Sequence, residues 1–326
     1  MLSRPLRPTR RQALAATAGL VAAPAFAAEP PAGKPVTPAV YPFKLGKFDA
    51  LLANDGSFTF PAVQPAFAPE AKPDEVAAVL RAAFLPTDRV TLSCNSLLVN
   101  TGRDRILIDA GCGSMSPGMG QLAANLRTAG VRPEEVTAVV LTHAHFDHFG
   151  GLFDPAGQSA FPNAVVHLPE AEEKYWTAPN PDVSGVRVGA EMAAQAVAGA
   201  KKLFAGLPGR VERVRPGQKL FGGAVEVVGA AGHTPGMIAV LVDGGDDQLL
   251  HIADAAHHHV LMFARPDWSA GVDLDPTQAK ATRRRLFDRA AADRLRVTAA
   301  HLPFPGLGHI RPAGTGYEWV PEPWVA

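Results

Sequence analysis

Short apolar runs alternate along the chain with longer stretches whose apolar positions recur at helical spacing. The runs Thr91–Val99, Arg105–Asp109, Thr137–Thr142, Ala164–His167, Ala224–Gly229, Ile238–Val242, Gln248–Ile252 and Val297–Ala300 are rich in Val, Ile and Leu and punctuated by Gly and Asp, which predicts strands. Asp74–Phe84, Met119–Ala129, Glu170–Trp176, Gly189–Ala205 and Thr277–Asp293 predict helices, and Pro73-Asp74 and Pro276-Thr277 read as helix starts. The last helix carries Arg283, Arg284 and Arg285, which read as a solvated face. No internal repeat or linker interrupts the mixture, so residues 43–326 read as one layered α/β domain.

The first 27 residues break this pattern. Arg4, Arg7, Arg10 and Arg11 stand without an acid, a small apolar run follows from Ala13 to Ala23, and Ala25-Phe26-Ala27 closes the segment. That is the layout of an export signal, with Arg10-Arg11 and Leu14 resembling the twin-arginine type. Cleavage there predicts a periplasmic or secreted protein. The apolar run is shorter than the ~20 residues that span a bilayer, so no stable membrane insertion is expected. Residues 28–42, with Pro30, Pro31, Pro35, Pro38 and Pro42, read as an extended arm, a surface on which a second copy would pack in a homodimer.

Charge excludes one class of partner. The 31 basic residues balance the 31 acidic ones, and without the four N-terminal arginines 27 face 31, a net −4. No basic excess points to nucleic acid. Two cysteines are too few for a disulfide framework. A hairpin turning near Gly102 would set Cys94 opposite Cys112, and an oxidising compartment permits a bond between them. Two small buried residues is the alternative.

The densest chemistry is Thr142-His143-Ala144-His145-Phe146-Asp147-His148-Phe149-Gly150-Gly151. His143 and His145, two apart in an extended stretch, face the same way, and Asp147 and His148 turn the corner. Imidazole and carboxylate suit zinc and similar divalent ions. With 11 histidines in 326 residues, three within six positions is not a chance of composition.

This H-x-H-x-D-H-x-G-G segment resembles the metallo-β-lactamase-fold hydrolases. Further parts follow in that family's order: Leu107-Ile108-Asp109-Ala110-Gly111 before it, then Gly232-His233-Thr234-Pro235-Gly236, Asp254 and His301. The resemblance covers roughly residues 90–310. It implies an αββα sandwich, two mixed β-sheets flanked by helices. It also implies two divalent ions per chain, zinc foremost, with manganese, cobalt or iron(II) as alternatives. His143, His145 and His233 would hold one ion, Asp147, His148 and His301 the other, and Asp254 would bridge them, with Asp109 orienting the ligand loop. Asp147 and Asp254 are the implied catalytic carboxylates, acting with a metal-bridging hydroxide.

An aspartate at position 254, where many β-lactamases of this fold carry cysteine, implies the branch of lactonases, thioester hydrolases and phosphotriesterase-like enzymes. Length, export signal and His301-Leu302-Pro303-Phe304-Pro305-Gly306 resemble methyl parathion hydrolase and exported lactonase and arylesterase relatives. The expected substrate is a small lactone or aryl ester, with phosphotriesters as a side activity. An N-acyl homoserine lactonase, a β-lactamase and a non-catalytic metal-binding protein are the alternatives. Phe146, Phe149, Trp176, His257, Phe263, Trp268 and Phe304, near the motifs, are the candidate pocket residues.

Overall fold

Among the residues that the computed structural model describes (39–113, 118–207 and 210–323), the strands form two seven-stranded sheets. The first takes β1 (Val40–Leu45), β2 (Phe48–Phe60), β3 (Val90–Asn100), β4 (Arg105–Ile108), β5 (Ala138–Val140), β6 (Val165–Pro169) and β7 (Val211–Val214), side by side in chain order. The second takes β8 (Lys219–Leu220), β9 (Val225–Gly229), β10 (Ile238–Asp243), β11 (Gln248–His251), β12 (Arg296–Thr298), β13 (Leu307–Ala313) and β14 (Gly316–Pro321), also in chain order. The first sheet is antiparallel up to β4 and parallel beyond it. The second is parallel only at β11–β12. Both sheets are therefore mixed.

Period-two alternation sorts the side chains into layers. Leu97, Val99, Ile106, Ile108 and Val140 of the first sheet meet Val225, Val227, Ile238, Val240 and Val242 of the second in a core between the sheets. The intervening Leu98, Leu107 and Val139 face the opposite way, with Leu126 and Leu203. Ala239 and Leu241 likewise point outward, to Leu286 and Phe287. Central strands are thus buried on both faces, and each fully buried Val, Leu or Ile contributes about 1.5–3 kcal/mol.

The helices are α1 (Pro73–Ala82), α2 (Leu122–Thr128), α3 (Phe146–Phe149), α4 (Glu170–Trp176), α5 (Ala190–Gly206), α6 (Leu261–Ala264) and α7 (Pro276–Ala292). Asp275 caps α7, accepting from Gln278 N at 2.9 Å. Arg283 on α7 corrects the reading of a solvated face. It is fully buried and donates to the carbonyls of Ala255, Pro266 and Trp268. Its neighbours Arg284 and Arg285 stay at the surface.

All the predicted strands and helices are present, with shifted ends. Strands β1, β2, β7, β8, β13 and β14 have no counterpart among them, and in β2 the polar Asn54-Asp55-Gly56 has the composition of a turn. The chain takes those residues as a bulge instead, with the register shifting between Asn54 and Gly56. The Asp55 carboxylate then accepts from the backbone N–H groups of Cys112, Gly120 and Leu122 and pins the loop after β4. Strand β1 takes in residues 40–42 of the segment read as an arm. The export segment 1–27 and the rest of the arm up to residue 38 lie outside the described residues. Among the described residues no helix is long and apolar enough to cross a membrane.

Candidate metal centre

The candidate ligands leave from one edge of the two sheets. Asp109 follows β4, the 142–148 loop follows β5, His233 sits between β9 and β10, Asp254 follows β11, and His301 follows β12. A bond from Ile238 N to Thr142 O, 3.0 Å, ties the two sheets there. Asp109 (φ 58°) and Ala253 (φ 48°) adopt the left-handed region, sharp turns that direct Asp109 and Asp254 into the site. Gly150 and Gly151 let the ligand loop close on the loop after β4. A Cβ on them would stand 2.2 Å from Cys112 O and 2.0 Å from Ala110 O.

Hydrogen bonds fix which nitrogen of each imidazole faces inward. Thr142 gives its hydroxyl proton to Asp109 Oδ2 (2.9 Å), so His143 Nδ1, 3.0 Å away, must donate to that hydroxyl. His148 Nδ1 donates to Asp109 Oδ2 at 2.8 Å, His233 Nδ1 to Asp273 Oδ1 at 3.0 Å, and His301 Nδ1 to Ser93 O at 2.9 Å. Each ring therefore turns a bare Nε2 to the centre.

Those nitrogens gather around one atom. His257, His301, His148, His233 and His143 place Nε2 at 3.1, 3.2, 3.3, 3.5 and 3.9 Å from Asp254 Oδ2. On one side, His145 Nδ1 lies 3.2 Å from His143 Nε2 and 2.9 Å from His233 Nε2. On the other, Asp147 Oδ2 lies 3.3 Å from His301 Nε2 and 3.8 Å from His148 Nε2. His148 Nε2 and Asp254 Oδ1 are buried without a hydrogen-bond partner. Converging lone pairs repel unless a cation lies among them, so this donor set fits two divalent ions, one per side of Asp254. All seven candidate ligands are thus brought together, with Asp109 directly behind them.

The electrostatics divide the same way. Burial, reinforced by neighbouring imidazoles, holds His143 far below the usual histidine range and His145 down at about 3. Burial also opposes charge on His148 and His301, but Asp254 and the other carboxylates outweigh it and raise both well above that range. Asp254 and Asp147 are held low despite their burial, by His301 and His148.

The candidate pocket residues separate. His257 stands in the centre, its ring stacked on that of His301 at 5.4 Å. Trp176 is buried, 5.8 Å from the His145 ring, and walls that side. Phe149 and Phe263 are core residues, packed in the outer layers. Phe146, Trp268 and Phe304 are half-buried against the three cores. The rings nearest His257 and His301 come from elsewhere: Phe58 lies 5.8 Å from His301, Phe67 6.5 Å from His257, and Phe60 sits between them. They were illegible because β2 itself was.

Glu172 was also missed. This buried carboxylate accepts from Ala144 N, Trp176 Nε1, Thr234 Oγ1 and Gly236 N, joining α4 to both ligand loops. An acid four residues before a buried Trp, on the apolar face of a helix, was the available signal.

Residues 89–310 match the model of the metallo-beta-lactamase superfamily. The chain belongs to that superfamily. Among curated proteins, two probable metallo-hydrolases of Mycobacterium bovis and Mycobacterium tuberculosis are each 30% identical over 220 residues, 61% of this chain and 68% of theirs. Among solved structures, the dizinc quorum-quenching lactonase AidC, in complex with a product N-hexanoyl-L-homoserine, is 28% identical with a TM-score of 0.84. The match covers 88% of this chain and 99% of AidC. The hydrolase AbOPH is 28% identical with a TM-score of 0.80, over 89% and 99% of the two chains.

Proposed function

We propose that this metallo-β-lactamase superfamily member is a dinuclear metal-dependent lactonase. N-acyl homoserine lactones and aryl lactones are its first substrates, with aryl esters and phosphotriesters as side activities. The observation that carries the reading is Asp254, whose one oxygen is ringed by imidazoles from both sheets. The likeness to AidC over nearly its whole length supports the lactone class.

His143, His145 and His233 would hold one ion, Asp147, His148 and His301 the second, and Asp254 both. Bound there, the ions would supply an acidified water and a positive charge facing the substrate carbonyl. The chain supplies the rest. Asp147, the more exposed of the two carboxylates, receives the proton that the attacking water loses. The ring C–O bond breaks as the carboxylate product forms, and the departing alkoxide needs a proton. Asp147 passes on the proton it received, and His257, buried beside Asp254 with ring nitrogens lacking a hydrogen-bond partner, is placed to hold the leaving oxygen by a hydrogen bond. Phe58, Phe60 and Phe67 offer an apolar wall for the acyl chain or aryl ring. Residues 1–27 are read as an export signal, so mature protein recovered from the periplasm should begin at Ala28.

The test is a turnover panel with zinc- or manganese-loaded protein: an acyl homoserine lactone, an aryl lactone, an aryl ester, methyl parathion and a cephalosporin. Lactone cleavage should dominate and fall by more than about 100-fold in Asp254→Ala. Lactone turnover no faster than the variant's would overturn the reading, and a preference for the cephalosporin would move it to a β-lactamase.

A further inference from the structure

The seven residues assigned above leave one buried donor at the site without a role. Cys94 lies on β3, in the part that runs past the end of β4 to the metal edge of the first sheet. Its sulfur, a carboxylate oxygen of Asp147 and a ring nitrogen of His301 all lie within 4.8 Å of one another. Zinc sits about 2.3 Å from sulfur and about 2.1 Å from nitrogen or oxygen, so one ion can touch all three after shifts of a few tenths of an ångström. Cys94 is 2% exposed. It is also not alone. The Cys112 thiol, fully buried, donates to the Cys94 sulfur at 3.4 Å. Cys112 is set in place by Asp55, which accepts from its backbone N–H. A donor behind the sulfur stabilises it as a thiolate, as ligand-orienting bonds do at other metal sites. The orphaned His148 Nε2 marks the same side of the centre as short of a partner.

We propose that Cys94 is a sulfur ligand of the ion held by Asp147, His148 and His301, and that Cys112 is the hydrogen-bond donor that orients it. The proposal rests on the dinuclear reading above. It makes the two metal positions chemically unlike: nitrogen-rich on the His143–His145–His233 side, sulfur-containing on the other. Binding there releases the thiol proton to solvent, and no electron changes hands. Soft-leaning ions such as zinc and cobalt should then be preferred over manganese at that position.

Cobalt(II) loading of the full chain separates the two readings. Two equivalents should bind, with a sulfur-to-cobalt charge-transfer band in the near ultraviolet. Cys94→Ser should lose the band, and Cys112→Ser should keep it. In the zinc protein, X-ray absorption should show a sulfur shell at about 2.3 Å. Two equivalents of cobalt without the band, or zinc without the sulfur shell, overturn this proposal and leave the dinuclear reading standing. Failure to bind cobalt at all overturns both. Absence of free thiols in denatured, unreduced protein would show the two sulfurs joined, and also overturns it. Should Cys94→Ser fail to fold, the wild-type band and the sulfur shell decide alone.

Discussion

Asp109 touches no candidate ion position, yet its two oxygens accept from Thr142 N, Thr142 Oγ1 and His148 Nδ1. Through Thr142 it also sets the tautomer of His143. Removing it frees two imidazoles to rotate and to present the wrong nitrogen. Asp109→Ala should therefore weaken metal binding by about 10- to 100-fold while the protein still folds, read by chelator competition. Residues of this kind mark the limit of what the sequence shows. His143, His145, Asp147 and His148 are legible because their spacing is itself a ligand pattern. Asp273, which holds His233, and Asp55, which holds Cys112, are single acids whose partners come from distant turns, and nothing local reveals them.

Helix α4 carries little chemistry of its own, but Glu172 makes it the brace between the ligand loops of the two sheets. Glu172→Ala leaves four donors, on Ala144, Trp176, Thr234 and Gly236, without their acceptor in a buried place. That should cost about 3–5 kcal/mol by denaturant titration, and Glu172→Gln less. At this scale the sequence reads well wherever both faces of an element are buried. Strands β4, β5, β9 and β10 are near-continuous apolar runs. The hairpin β13–β14 escaped because its exposed positions carry Arg311, Pro312 and Glu318, which look like loop. Strand β2 escaped through its bulge, and the aromatic wall beside the site went with it.

The fold as a whole was legible through the family resemblance that the ordered ligand motifs carry, while the residues alone gave a layered α/β domain. Its pH response was not, because it depends on burial. His258 and His259 stack at 4.9 Å and are held by burial at about 3 and about 4, against 6.5 in free histidine. His258 Nδ1 also accepts from Val260 N and Leu261 N, bonds that a proton would break. Both folded-state values are depressed, so these residues stabilise the fold above about pH 6.5, and the contribution is lost as pH falls towards 4. Stability measured against pH should drop over that window. His258→Asn, which keeps an acceptor for the two N–H groups without titrating, should flatten the drop. An unchanged slope would remove these histidines from the account.

Each sheet is built from one continuous half of the sequence. A ribosome therefore finishes the half bearing His143, His145, Asp147 and His148 well before it reaches His233, Asp254 and His301. A nascent chain at that stage carries those four side chains without Asp254, the carboxylate proposed to serve both ions, and so holds no complete site. Selection of the right pair can begin only once the second half docks on the first. Choice of metal is then a matter of when, as well as of which atoms.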